Sequence, residues 1–220
     1  MGVLGRIGDH KRGSQLLRDS RNLADTGVRY RQWLETGMQF HAEFDNTATF
    51  FDSEHQQLLG VGQDNWDKER IARFLTLCEI GESNRQRDRV AHLLRRQLDA
   101  GSLPPDLQRD VRKLLVRTLE NDPVYALEVE SQLKALLVED PGQTDEHNLR
   151  LALLYRESQR PDLAQPLLIS VALNSVEDAD LLKRAYPAFL DFGMGALAVS
   201  VLRRLTTIEA SNRIHWEKLL

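Results

Sequence analysis

Two stretches decide the architecture: YRESQRPDLAQPLLISV (residues 155–171) and FLDFGMGALAVSVLRRL (residues 189–205). Ala164 and Ala198 lie 34 residues apart, each inside the same apolar frame. Tyr155 and Phe189 stand nine residues before their alanines, Leu168 and Leu202 four after, and Val171 and Leu205 seven after. Steps of three, four and seven mark one face of a helix. Between aromatic and alanine comes a turn signal, Gln159-Arg160-Pro161 in one copy and Gly193-Met194-Gly195 in the other. Each copy is therefore a helix pair. An aromatic wedge sits on the first helix, a small residue marks where the second backbone approaches, and a leucine stripe follows.

Working outward, the pattern predicts helices over 146–157 and 163–173, then 178–192 and 196–206. One more period places Trp216, Leu219 and Leu220 at the start of another copy. Upstream, Val129, Leu133, Leu136 and Pro141 fit the second-helix positions at a spacing of 35. Helices from Asp67 to Ile80 and Arg85 to Ala100 form an earlier pair, the second stopped by Gly101 and Pro104-Pro105. Pro105 suits the first turn of the next helix, running to Leu119, and Asp122-Pro123 starts its mate, halted at Pro141-Gly142. Toward the N-terminus, 14–44 reads as one long helical segment, weakened at Gly27 and Gly37 by roughly 1 kcal/mol each. A break near either glycine is expected. Asn46 or Thr47 caps a second helix closed by Gly60. The glycine-rich stretch 60–65 divides the chain into a helical N-terminal region, 1–62, and a repeat region, 63–220.

A period of 34 in this frame resembles the tetratricopeptide repeat family, an all-α superfamily of helical-hairpin solenoids. The resemblance covers 106–220 well and 66–105 loosely, and implies about three to four helix pairs. Its implied activity is non-catalytic protein–protein interaction: a scaffold or adaptor in a multi-protein assembly, with a chaperone sequestering one client as the alternative and an enzyme as the third reading. Carrying the family's concave-face positions over places a partner-binding groove at Glu146, Leu149, Leu153, Arg156 and Glu157, then Asp180, Lys183, Pro187, Leu190 and Asp191. Leu149, Leu153 and Leu190 would be the apolar anchors, with the charges setting register. Lys183 matches the lysine of the family's carboxylate clamp, but Pro187 and Leu153 replace its asparagines, so clamp binding does not carry over.

Charge is segregated along the chain. From Arg85 to Arg117 nine basic residues face four acids; from Glu120 to Glu146 eight acids face Lys134 alone. Solvated helix faces account for such runs. The functional alternative is a basic patch of Arg85, Arg89, Arg95, Arg96, Arg109, Arg112 and Lys113 for an acidic partner, beside an acidic patch for a basic one. Nucleic acid is disfavoured, because the net charge is −4 and no aromatics interleave the arginines. The six histidines are scattered without ligand spacing, so no metal or other cofactor is expected. Cys78, the only cysteine, falls on an apolar helix face and reads as core. No leader or membrane span is legible, which makes a cytoplasmic location the expectation. Trp33, Phe40, Phe44, Phe50 and Phe51 are expected to seat the N-terminal helices on the first repeat as a cap. The alternative is a homo-oligomer joined through the N-terminal helix, anchored by Trp33 and Phe40, or through the solenoid end.

Overall fold

The structure is a computed structural model that describes residues 10–25, 27–59, 66–101, 103–212 and 214. These form eleven α-helices joined by short turns, with no strand among the described residues. The boundary stretch 60–65 and the projected copy at Trp216, Leu219 and Leu220 lie outside the described residues. The chain divides into two compact units, 1–111 and 112–220.

In the first unit, α1 (His10–Ser20) is followed by a 3-10 turn (Arg21–Leu23), α2 (Gly27–Ala42), α3 (Thr47–Leu59), α4 (Lys68–Ser83) and α5 (Arg87–Ala100). The expected break in 14–44 appears over 21–25 among the described residues, and Gly27 opens α2. Gly37, by contrast, sits inside an unbroken helix. A Cβ there would lie 2.3 Å from the Phe50 ring, so the glycine admits α3 at close range. Gly81 does the same on α4: its Cβ would meet Phe51 at 2.5 Å and Val90 at 2.8 Å. The large and small partners are thus exchanged relative to the C-terminal frame, with the small residue on the first helix of each pair. Phe51 and Phe40 are buried in this core, at 1% and 2% exposure. Phe40 is therefore no surface anchor for a second copy.

Asp67 caps α4 by accepting from Arg70 N at 2.8 Å. α5 stops at Gly101, whose φ of 64° lies in the left-handed region. A buried carboxylate ties the unit together. Glu54 on α3 accepts from Arg21 Nε (2.8 Å) and Nη2 (2.7 Å) and from Tyr30 Oη (2.9 Å).

α6 (Pro105–Leu119) runs through the division between units. The second unit continues with α7 (Ala126–Glu139), α8 (Thr144–Glu157), α9 (Pro161–Ser170), α10 (Ala179–Asp191) and α11 (Gly195–Ile208). α8 packs on α7, α9 and α10, and α10 packs on α11. The core holds Leu149, Leu153, Leu168, Leu182, Phe189, Ala198 and Leu202, the residues of the 34-residue frame and their neighbours. Glu130 on α7 binds the α8–α9 pair through Tyr155 Oη (3.0 Å) and Arg160 Nη1 (2.8 Å). Lys134 first, and then these two groups, hold its carboxyl below the usual range against the opposing effect of burial.

The turns reveal a recurrence that residue types hide. Arg160 N donates to Tyr155 O and Met194 N to Phe189 O, both at 2.8 Å. The same closure joins Asn46 N to His41 O and Gln86 N to Gly81 O, both at 2.9 Å. Each turn passes through one left-handed residue: Asp45 (φ 55°), Arg85 (62°), Gln159 (58°) and Gly193 (69°). This is the six-to-one closure that ends a helix and reverses the chain. Pairs α2–α3, α4–α5, α8–α9 and α10–α11 share it.

Candidate functional site

α8 is the centre of the second unit, and that position decides what it can offer a partner. With helices on several sides, it buries His147 and every residue from Leu149 to Tyr155. Leu149 and Leu153, expected as groove anchors, are 0% and 1% exposed. They belong to the core. A first helix with one outward face would expose them, whereas α8 is packed by α7, α9 and α10.

What α8 presents is polar, at its middle and at its C-terminal end. Arg150, 9% exposed, is the hub of an ion-pair network. Its Nη1 donates to both oxygens of Glu120 (2.7 and 2.8 Å), and its Nη2 to Asp178 (2.5 Å) and Glu146 (3.2 Å). Arg184 on α10 adds a second cation, 2.8 Å from Glu120 and 3.7 Å from Glu157. Residues 146, 150, 153 and 157 share one helix face. The network thus runs along the face that carries Leu153. Asp178 also caps α10, accepting from the N–H groups of Asp180 (2.9 Å) and Leu181 (3.0 Å). Burial raises the Asp178 carboxyl, but these N–H groups and Arg150 outweigh it and hold the carboxyl below its ordinary range. Burial likewise works against a charged Arg150, yet the surrounding carboxylates, Glu120 foremost, keep it more firmly protonated than in water.

Beside this network opens a cleft of about 530 Å³, lined by Arg117, Glu120, Asn121, Arg150, Asp178, Asp180, Leu181 and Arg184. A second cleft of about 440 Å³ adjoins the far end of α8, lined by Arg156, Glu157, Gln159, Pro161, Asp191 and Phe192. Among the remaining groove residues, Arg156 pairs with Asp191 through Nε (3.0 Å) and Nη2. Lys183 bridges Asp180 (3.1 Å) and Glu209 (2.6 Å). Leu190 alone of the three expected anchors stays on the surface, at 48% exposure. The clefts are therefore polar and offer alternating charge.

The basic patch is largely internal bookkeeping of charge. Arg112 binds Glu139 (3.0 and 3.1 Å) and Gln132, and Lys113 binds Asp140 at 2.6 Å. Basic α6 and acidic α7 thus neutralise each other, which accounts for part of the alternating runs in sequence. Arg89 pairs with Asp52, and Arg109 with Asp106 at 3.2 Å. Arg95 is half-buried, Arg85 is exposed in its turn, and Arg96 is exposed beside His55 and His92 in a cleft of about 410 Å³.

Arg117, Glu120, Asn121, Arg150, Asp178, Leu181 and Arg184 line the candidate cleft beside the Arg150 network without having been expected from the sequence. One signal was available. Arg150 and Arg184 are 34 residues apart, as are Glu146 and Asp180, so the period carries charge as well as apolar character. Among the described residues no group of three or more histidine, cysteine, aspartate or glutamate side chains is arranged to hold a metal ion. No described helix is long and apolar enough to cross a membrane. Comparisons with protein-family models, curated proteins and solved structures find no match to this chain.

Proposed function

We propose that this protein is a non-catalytic binding scaffold or adaptor, a helical-hairpin solenoid of the tetratricopeptide type that holds a partner protein against its second unit. The observation that carries the reading is the recurrence of one chain-reversing turn in four helix pairs, two of them in register with a 34-residue frame that includes charged positions. Stacked pairs of this kind present first-helix residues in a row, which suits an extended or helical segment. With Leu149 and Leu153 in the core, binding rests on the alternating charges of the two clefts beside α8, with Leu190 as the exposed apolar contact. Charge complementarity of this sort selects the partner and speeds encounter more than it adds affinity.

The test is affinity co-purification from the native organism at low and high salt, followed by reconstitution of the captured protein with purified chain. A stoichiometric complex that weakens with salt and is lost in Leu190→Asp, with helicity unchanged, supports the reading. A complex indifferent to Leu190→Asp and to Asp180→Lys moves the interface elsewhere and overturns it. Leu153→Asp is unsuitable as a surface probe, because it would place a carboxylate in the core.

A further inference from the structure

A cleft of about 410 Å³ between α1, α2 and α3 in the first unit plays no part in the scaffold reading. Its walls differ in kind from those of the charged clefts. Leu17, Trp33 and Phe50 supply an apolar side, with the Trp33 and Phe50 rings 5.5 Å apart and His41 stacked on Phe50 at 4.8 Å. The Trp33 ring is held in place because Nε1 donates to Leu17 O at 3.0 Å. At the rim stand the exposed cations Lys11 and Arg18 of α1. Next to them His10 Nε2 lies 3.4 Å from both His41 Nδ1 and Ser14 Oγ.

The charge of the cleft is one-sided. Glu54 is the only carboxylate among its described lining residues, and both of its oxygens are already engaged by Arg21 and Tyr30. The positive field is felt at His41, whose pKa is pushed down to about 4 by burial first and then by His10 and Arg18. A concave site of this size, with flat apolar walls and a few convergent polar groups, matches small-molecule sites rather than a peptide groove. The unbalanced cations select the sign of the ligand.

We propose that this cleft binds a small organic anion with a flat apolar body, of the aromatic carboxylate class. The ring system would lie against Trp33 and Phe50, with the carboxylate at the rim beside Lys11 and Arg18. Such a ligand relieves the repulsion among the cations and covers apolar surface that the fold leaves in water.

The test uses the full chain and 2-naphthoate, with 2-naphthylmethanol as the neutral counterpart, followed by calorimetry and by NMR of the histidine rings. One naphthoate per chain is expected, with the His10 and His41 resonances moving. The alcohol should bind about tenfold more weakly or worse, as expected for loss of a charge-assisted contact. Lys11→Gln combined with Arg18→Gln should remove that preference. Ser53→Trp, a substitution at the exposed lip of the cleft, should abolish binding with the helical signal unchanged. Absence of saturable binding overturns the proposal, and so does equal affinity for the alcohol. So does ligand-induced movement confined to resonances outside α1, α2 and α3, a result readable even if Ser53→Trp does not fold.

Discussion

Replacing Arg150 with methionine removes the hub of the second unit while keeping its aliphatic bulk. Three carboxylates lose a partner: Glu120 at 9% side-chain exposure, Glu146 at 19% and Asp178 at 30%. Removing one side of a buried ion pair costs about 3–5 kcal/mol, because the charge left behind is poorly solvated. Two compensations bring the figure to the lower end. Glu120 keeps Arg184 at 2.8 Å, and Asp178 keeps the N–H groups of Asp180 and Leu181. The expected loss is therefore about 3 kcal/mol. Urea unfolding near neutral pH, followed by far-UV circular dichroism, measures it. The double variant Arg150→Met/Glu120→Gln separates the mechanism from simple loss of packing. Neutralising the stranded carboxylate should recover about 1 kcal/mol, so the two effects should be far from additive. If Arg150→Met stays within about 1 kcal/mol of the parent, or the double variant is simply additive, the network does not hold the second unit in this way.

Three further outcomes follow from the same packing. The imidazoles of His41, His55 and His147 are all held below their ordinary pKa, in each case chiefly by burial, so the unfolded chain takes up protons first on acidification. Stability should accordingly be full above about pH 6.5 and fall as the pH drops toward about 4, the value reached by His41; denaturation midpoints measured across that window should slope, and a flat profile contradicts the burial of these rings. Gly81→Ala forces a methyl against Phe51 and Val90 and should cost about 1–3 kcal/mol, part of it recovered when Phe51→Leu is added, as thermal or urea unfolding would read. Cys78 is fully buried and its thiol is pushed up by burial first and then by Glu82 and Glu79, so a thiol-reactive dye should label it only after denaturant is added. Rapid labelling of the native protein would show that α4 is open.

Much of the helical organisation is legible from local pattern. Pro105, Gly101, Asp67, Asp178 and the 193–195 turn act through their own backbone or the next few residues, so their meaning survives without tertiary context. The pair α2–α3 is harder to see. Phe50 and Glu54 occupy the places of Ala164 and Leu168, and the complementary small residue, Gly37, lies on the other helix. A motif that looks for alanine on the second helix passes over a pair that solves the same close-approach problem in reverse. The expected groove suffered from a different gap. Periodicity tells which residues share a helix face, but not whether that face meets water or another helix. Leu149, Leu153 and Leu190 were equivalent in pattern, and only Leu190 remained exposed.

By itself the sequence determined the helices, their turns and the 34-residue frame, because propensity, capping and apolar period are properties of neighbours along the chain. Tertiary structure alone decided that α8 is enclosed, that Arg112 and Lys113 meet Glu139 and Asp140, and that Glu120, Arg150, Asp178 and Arg184 converge on one cleft. Exposure and charge pairing depend on what other segments bring to the same place, and residues 27 to 64 positions apart carry no mark of that meeting in their local sequence.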